Sequence, residues 1–436
     1  LISFLILAVI LIIPAFFNGG LTEIGKAVIF ILTLPLLYFS LKTNPKNEFL
    51  LKKLNIFSVF IALIVIIALS LNYSVNKYST LIALLEYLSF FIIIFSVFKT
   101  ITSIKQIKNF AILFVSFGVV LSIIGIYYFL ASEIFDYLRL RSVFNYHNPF
   151  GGFLLLILPI SLIWLIIEKS KKHRFLLFCS SYILLLAFIL THSRASWVAL
   201  LITLPIIGWG IRKKITLSAV KNILFLIIIT GLSVNLIYSV KDWQKRKTTN
   251  PQVKFEIISS ASASQEDSIS TAKKNISIPF AASQRLNYWK GALKIFKDNI
   301  FLGTGFNTFS SSYRGYIENP LYFASTAHNT YLQILSELGI IGFSIFIFLL
   351  VLILYLIYKS IRSKDYIILA LGSGILASLI HNFFENDWQY TTNAILFWII
   401  IGVLYKSSHL VIPAEAGIHK TINLSRLLPN RFRSRP

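Results

Sequence analysis

Long runs of apolar residues, separated by short polar segments, make up most of the chain. Most of these runs approach the roughly 20 apolar residues that a helix needs to cross a bilayer. The last run is short, and only four residues separate the seventh run from the eighth. The pattern predicts an all-α polytopic membrane protein with about 12 transmembrane helices, near residues 1–17, 24–41, 54–72, 80–98, 110–130, 150–167, 175–191, 195–211, 220–239, 338–358, 366–384 and 391–405.

Composition supports a membrane protein and excludes other classes. Of 436 residues, 56% are hydrophobic and 13% are charged, against roughly 25% charged in an ordinary soluble domain. The single cysteine, Cys179, falls within an apolar run, which excludes a disulfide-rich scaffold and a thiolate metal site. The chain contains no Met and begins with the apolar Leu1, so we expect the true N-terminus to precede it.

The net charge of +24 indicates a nucleic-acid ligand only if the charges form a binding surface. If the first helix starts in the cytoplasm, the inner segments hold 24 of the 41 Lys and Arg residues and 4 of the 17 acidic residues. This bias follows the positive-inside rule in every short inner loop. We therefore attribute the charge to topology and to contacts with the lipid bilayer, and expect no nucleic-acid partner. The inner segments are 42–53, 99–108, 168–174, 212–221, 359–365 and 406–436.

The same topology divides the chain into four parts. Residues 1–239 form helices one to nine, 240–337 form one large outer loop, and 338–405 form helices ten to twelve. We expect a mobile stretch at 241–284, which is rich in Ser, Lys, Thr and Ala. The basic tail 406–436 is punctuated by Pro; beyond 411 it resembles peptides encoded by palindromic bacterial repeats, and we expect it to be disordered and dispensable.

Within the outer loop, residues 285–297 carry a helical pattern. Leu286, Trp289, Leu293 and Phe296 recur at spacings of three and four, and lysines occupy the other faces. This spacing predicts an amphipathic helix, capped by Ser283, that lies on the outer membrane interface or over a cavity. The glycines at 303 and 305 then break the pattern.

The topology also gathers polar residues at the outer ends of the helices, where retained polar groups usually serve a function. Arginine suits phosphate oxygens, histidine can accept a proton near neutral pH, and no spacing typical of a metal site appears. The residues indicate an anionic phosphate ligand and a proton transfer. They are Arg139, Arg141, Asn145, His147, Asn148, His192, Ser193, Arg194, Arg285, His328, Asn329, Glu337, His381, Asn382, Glu385 and Asp387.

Each of the strongest candidates also has a structural interpretation. Arg194 could be an interfacial anchor, although a tight turn leaves its side chain little room to reach away. Arg285 could be a solvated residue of the first helical turn. His328 could be a helix-start residue whose polar groups are satisfied by the backbone.

Four segments resemble one known family. Residues 328–342 read His-Asn, nine residues, then Gly-Ile-Ile-Gly, which resembles the His-Asn-x9-Gly-x-x-Gly signature of the O-antigen ligase and O-antigen polymerase superfamily. Residues 285–306 are similar to the outer-loop Arg helix of that family and the Gly-x-Gly turn after it. Residues 191–196 and 144–152 resemble its Ser-Arg-Ala corner and its Asn-Pro-x-Gly helix entry. In order, these motifs cover about 141–342.

The resemblance implies a multi-spanning glycosyltransferase of the bacterial inner membrane that needs no cofactor or metal. Such enzymes take a glycan from undecaprenyl diphosphate on the periplasmic face. Arg194 and Arg285 would hold the diphosphate and His328 would be the catalytic base, with inversion at the anomeric carbon. Two arginines can replace a divalent cation beside an anionic leaving group. We add substrate contacts at Arg141, His147, Asn329 and Glu337.

The acceptor is left open by the sequence. Ligation onto lipid A-core is favoured over polymerisation of repeat units, and protein O-glycosylation comes third. A small-anion transporter is the alternative from another class. Transporters usually bind their substrates near the membrane midplane, whereas Glu86 is the only mid-span carboxylate here and the polar groups gather at the outer ends. That distribution favours chemistry on a lipid-borne glycan.

Overall fold

The fold is all-helical wherever the structure describes the chain. A computed structural model describes residues 2–42, 55–132, 139–248, 279–317 and 323–410, and these ranges contain no β-strand. The first nine helices are α1 (Ile2–Ile12), α2 (Glu23–Lys42), α3 (Ile56–Ser70), α4 (Lys77–Thr100), α5 (Ile104–Ala131), α6 (His147–Ile167), α7 (Lys171–Leu190), α8 (Arg194–Ile211) and α9 (Leu217–Thr248). Five more follow: α10 (Pro279–Asp298), α11 (Phe309–Tyr313), α12 (Thr330–Ile361), α13 (Tyr366–His381) and α14 (Thr391–Ser407).

Many of these helices are apolar enough to cross a bilayer. In the described ranges eight have both the length and the composition for it, namely α2, α4, α5, α6, α7, α8, α9 and α12. The apolar helices that begin at Ile2, Ile56, Tyr366 and Thr391 are shorter. All of them coincide with predicted runs. The chain is thus a multi-pass membrane protein, while the count of twelve spans stays a prediction.

Helix α6 lies at the centre of the bundle. It packs against α5, α7, α8, α13 and α14, and nearly all of its side chains are buried. Helix α13 is buried along most of its length as well. In contrast, α9 packs mainly on α7 and exposes most of its apolar surface, as a helix facing lipid would. The most deeply buried part of the fold therefore carries the first residues of α6 and the last residues of α13.

The helices that flank the predicted outer loop are longer than the sequence pattern suggested. Helix α9 continues to Thr248, α10 begins at Pro279 and α12 begins at Thr330. Ser283 therefore lies inside α10 and does not cap it, because polar sequence can continue a helix that apolar periodicity alone does not reveal. Residues 249–278 of the predicted mobile stretch, and 411–436 of the predicted tail, lie outside the described residues.

The orientation of α10 also differs from the prediction. Its buried face is formed by Tyr288, Ala292 and Ile295, which pack on α11 and the segment before α12. Leu286 and Leu293, on the predicted apolar face, are exposed. Leucine is more hydrophobic than tyrosine or alanine, so the sequence pattern predicted burial of the leucine face, which does not pack on the protein. The exposed leucines suit the expected place at the membrane interface.

Helix α12 is kinked at Gly339, whose backbone is not helical (φ 61°, ψ −169°). The positive φ and the close approach of the Phe301 carbonyl exclude a side chain there. Across the kink, the amide of Gly305 donates to the Glu337 carbonyl at 2.9 Å and the amide of Ile340 to the Ile300 carbonyl at 2.8 Å. The glycine of the signature thus lets the turn after α10 dock on α12.

Candidate active site

One open cavity lies where α6, the corner between α7 and α8, and α10 meet. We call this end of the bundle the site end. The volume of the cavity is about 150 Å³. Three arginines and three histidines line it, so its surface is cationic and can also exchange protons. The lining residues are Arg139, Tyr146, His147, Asn148, His192, Arg194, Ala195, Gln284, Arg285, Tyr288 and His328.

Arg194 reaches the cavity because helix α8 begins with it. Ser193 caps that helix, since its Oγ accepts from the amide of Ser196 at 3.4 Å. Gly151 of α6 packs directly against Ser193 and Ser196, which holds the start of α8 close to the start of α6. Arg194 itself is exposed. The corner therefore places the guanidinium of Arg194 at the cavity on a backbone that is held by the cap and by α6.

Glu385, in the loop between α13 and α14, joins two of the predicted residues. Its Oε1 forms an ion pair with Nη2 of Arg285, and its Oε2 lies 2.9 Å from Nδ1 of His328. Asn148 Nδ2 also donates to Oε1, at 2.5 Å. Burial tends to raise the pKa of Glu385, but the hydrogen bond and charge of His328, together with Arg285, lower it overall. Glu385 is therefore a buried anion that anchors both sides of the cavity.

His328 is held in a constrained position. Its backbone has a left-handed φ of 47°, which is costly for a residue other than glycine and is typical of functional sites. Its ring stacks on Tyr288 with centroids 5.7 Å apart, and its side chain is 32% exposed. Because Nδ1 faces Glu385, Nε2 is the nitrogen that can act on a bound substrate.

His147 supports an arginine and is poorly placed to be a base. Its Nε2 lies 2.9 Å from Nη1 of Arg139. A guanidinium can only donate hydrogen bonds, so this nitrogen of His147 must accept and carries no proton. His192 has a positive φ of 49°, and its Nε2 contacts the hydroxyl of Tyr238 at 2.6 Å. Burial and the charge of Arg139 lower the pKa of His192. Both rings therefore favour the neutral form beside the arginines.

Arg141 lies beside the cavity and not in it. Its Nη1 donates to the carbonyl of Asn145 at 3.3 Å. It lines a second cavity of about 380 Å³ at the end of α5, which Tyr128 and Phe129 also line. Arg139 lines both cavities. Arg141 could thus reach only a ligand that extends past Arg139.

Asn329 is engaged as a helix cap. Its Oδ1 accepts from the amides of Tyr331 and Leu332, each at 3.0 Å. This bond arrangement starts α12 immediately after His328. Asn329 therefore helps to fix the backbone of His328, and its side chain does not line the cavity.

Glu337 is also engaged in structure. Its carboxylate accepts from the amides of Asn307 and Phe309 at 2.8 and 3.0 Å and from Nε2 of Gln333 at 3.0 Å. It lines a separate polar cavity of about 40 Å³, together with the ion pair of Lys26 and Glu86. The structure thus uses Glu337 to hold the turn after α10 and does not bring it to the arginines.

Across the described ranges, no group of three or more His, Cys, Asp and Glu side chains has a geometry that could hold a metal ion. The cavity instead offers three guanidinium groups for anionic oxygens and an imidazole braced by a carboxylate for a proton. These groups suit the transfer of a group away from a phosphate, with a base to activate the acceptor.

The sequence placed Glu385 and Arg139 among the polar residues at this end but gave neither a role. Glu385 was not singled out because its partners lie 57 and 100 residues away. Tyr288 was not recognised at all. Its three-residue spacing from Arg285 is the signal that could have found it, because it puts both on one face of α10.

Comparison with known proteins agrees with the motifs. The family described as O-Antigen ligase matches residues 177–347, a segment that contains Arg194, Arg285 and His328. No curated protein sequence matches the chain. The matched family is a glycosyltransferase-like class that carries out glycan transfer of the ligase or polymerase type in the membrane. The match over this segment supports the resemblance to the O-antigen ligase superfamily that the motifs indicated.

Proposed function

We propose that the protein is an O-antigen ligase of the bacterial inner membrane, which transfers a glycan from undecaprenyl diphosphate to a hydroxyl of lipid A-core. One observation carries the proposal: Glu385 holds His328 and Arg285 together at a cavity that Arg194 also lines. A single site thus contains a histidine that can act as a base and arginines that can bind the diphosphate. The positive charge of the opposite loops supports a periplasmic site.

In the proposed reaction, Nε2 of His328 takes the proton of the acceptor hydroxyl. The acceptor oxygen then attacks the anomeric carbon, and the bond from that carbon to the diphosphate oxygen breaks. The electron pair leaves with the diphosphate, whose growing charge faces Arg194 and Arg285. Direct displacement inverts the anomeric configuration. Glu385 stabilises the imidazolium that forms, because its carboxylate faces Nδ1.

The arginines take the place that a divalent cation has in other diphosphate enzymes. Their charge is permanent, and their planar fork can bind two phosphate oxygens at once. We therefore expect the transfer to be independent of metal ions.

The test is a reconstitution of the purified protein in lipid nanodiscs with carrier-linked glycan, in buffer containing EDTA. Lipid A-core, a second carrier-linked repeat unit and a protein acceptor are offered in separate reactions. We expect glycan on lipid A-core, with inverted linkage and an undiminished rate in EDTA. Chains longer than one repeat on the carrier would identify a polymerase instead, and glycosylated protein would identify a protein transferase. No transfer to any acceptor, with uptake of a small anion into vesicles, would favour a transporter.

A further inference from the structure

Beneath the cavity, Ser196, His381 and Asp387 form a chain of hydrogen bonds that the proposed reaction does not use. Nδ1 of His381 lies 2.6 Å from Oδ2 of Asp387, and its Nε2 lies 3.0 Å from Oγ of Ser196. The order resembles that of a hydrolase triad. However, Ser196 and His381 are fully buried and Asp387 is 2% exposed, so no substrate can reach the serine.

The protons of this chain follow from its hydrogen bonds. The hydroxyl of Ser196 donates to Oγ of Ser193 at 2.8 Å, so it has no second proton to give to His381. Nε2 of His381 must therefore be the donor to Ser196. A second proton lies between Nδ1 and Asp387. His381 thus donates to Ser196, and Ser196 donates to Ser193. The carboxylate of Asp387 balances the charge of the His381 imidazole.

Each end of this hydrogen-bonded series lies next to one part of the candidate active site: Ser196 is near Arg194, and Asp387 is near Glu385. Ser196 lies two residues after Arg194 in the first turn of α8, and Asp387 lies two residues after Glu385. The amide of Asp387 donates to Oδ1 of Asn382 at 3.2 Å. Arg194 and Glu385 are far apart in sequence, so only a tertiary contact can fix their relative positions.

Close packing against α6 holds the hydrogen-bonded side chains in place. Gly151 of α6 lies against Ser196, and Gly152 lies against the carboxylate of Asp387, where an added Cβ would overlap the oxygen. Both glycines belong to the central helix, which contacts both halves of the site. The hydrogen-bonded chain is thus wedged between α6, α8 and α13.

We propose that Ser196, His381 and Asp387 are positioning residues, which fix Arg194 relative to Glu385 and, through it, to Arg285 and His328. This inference rests on the proposed function, because it presumes that Arg194 holds the diphosphate. A displacement of a catalytic group by about 1 Å can lower a rate about 100-fold. Removal of the connection should therefore lower kcat more than it lowers the amount of folded protein.

The test compares Ser196→Ala with Ser181→Ala, and kcat and KM are measured per folded molecule in nanodiscs. Ser181 is an equally buried serine that is bonded to Ser161 at 2.5 Å in the middle of the bundle. We expect kcat to fall about 10-fold in S196A and less than about 2-fold in S181A. Asp387→Asn keeps the shape of the side chain and serves if S196A does not fold. Equal kcat in S196A, D387N and S181A would overturn the inference.

A double-mutant cycle with Arg194→Lys identifies the group through which the chain acts. If Ser196 positions Arg194, the roughly 10-fold effect of S196A should shrink to less than about 2-fold in the R194K background. Effects that multiply fully would show an independent structural role and would overturn the inference. Full activity of R194K alone would show that charge at position 194 suffices without a fixed guanidinium, which would overturn the inference and leave the proposed function standing.

Discussion

Oε2 of Glu385 lies 2.9 Å from Nδ1 of His328, although the two residues are 57 positions apart in the chain. A carboxylate in this position fixes the ring orientation and leaves Nε2 toward the cavity. The other oxygen of the same carboxylate holds Arg285. A change at Glu385 should therefore affect the candidate base and one candidate phosphate ligand together.

Glu385→Gln tests this bridge. Glutamine keeps the shape and one oxygen acceptor but loses the charge that stabilises the imidazolium, so we expect kcat to fall about 10- to 100-fold. The fall in kcat is measured by steady-state glycan transfer with the purified protein. Asp298→Asn is the control, because Asp298 lies on α10 outside the cavity, where its carboxylate accepts a hydrogen bond from the Tyr316 hydroxyl. An unchanged kcat in E385Q would mean that the carboxylate does not assist the base.

The lowered pKa of Glu385 also predicts a pH dependence of stability. A carboxyl whose folded-state pKa lies below its ordinary value of 4.5 stabilises the fold above that value. The contribution is lost as the pH falls through the folded-state pKa. We therefore expect the unfolding temperature of the wild type to exceed that of E385Q at pH 7, and the difference to disappear as the pH falls below 4.5 through the folded-state pKa of Glu385. Intrinsic fluorescence during heating gives the unfolding temperatures of the wild type and of E385Q at each pH. A gap that widens toward acid pH would contradict the lowered pKa.

Arg194→Lys and Arg285→Lys test the need for guanidinium groups. Lysine keeps the charge but cannot bind two oxygens as a planar fork, so each change should lower kcat/KM about 10-fold or more. The assay is transfer from carrier-linked glycan. Arg314→Lys is a matched control in the same loop, since Arg314 is exposed and its guanidinium lies over the ring of Phe323. Lysine variants with wild-type rates would show that charge alone suffices.

Cysteine labelling tests the orientation of the chain. In a Cys179→Ser background, Gly315→Cys lies near the site end, and Lys172→Cys lies at the opposite end, in the first turn of α7. Position 315 has open space around its Cα, and Lys172 is exposed. A membrane-impermeant thiol reagent added to spheroplasts should label position 315 and spare position 172. The reverse pattern would place the site in the cytoplasm.

The sequence predicted the helical architecture well, because long apolar runs have few alternatives to a membrane-crossing helix. It also predicted the tight corner at Arg194, since four residues cannot form more than a turn. The ends of α9, α10 and α12 were missed, because helix can continue through polar sequence when it packs on other elements.

The candidate site was only partly predictable. Arg194, Arg285 and His328, which the sequence placed on one outer side, line one cavity. The bridge at Glu385 depends on the conformation of the loop after α13, which no local pattern encodes. Asn329 and Glu337 were predicted to contact the substrate, but Asn329 caps α12 and Glu337 holds the turn after α10.

The central claim, that His328 is the base for the acceptor hydroxyl, is tested most directly by a single-turnover measurement on His328→Ala. The variant is saturated with carrier-linked glycan, the acceptor is added, and the transfer rate is compared with those of the wild type and of His173→Ala, an exposed histidine at the opposite end. We expect H328A to bind the donor with an affinity close to that of the wild type and to transfer it at least about 100-fold more slowly, while H173A is unaffected. Transfer by folded H328A at the wild-type rate would contradict the account.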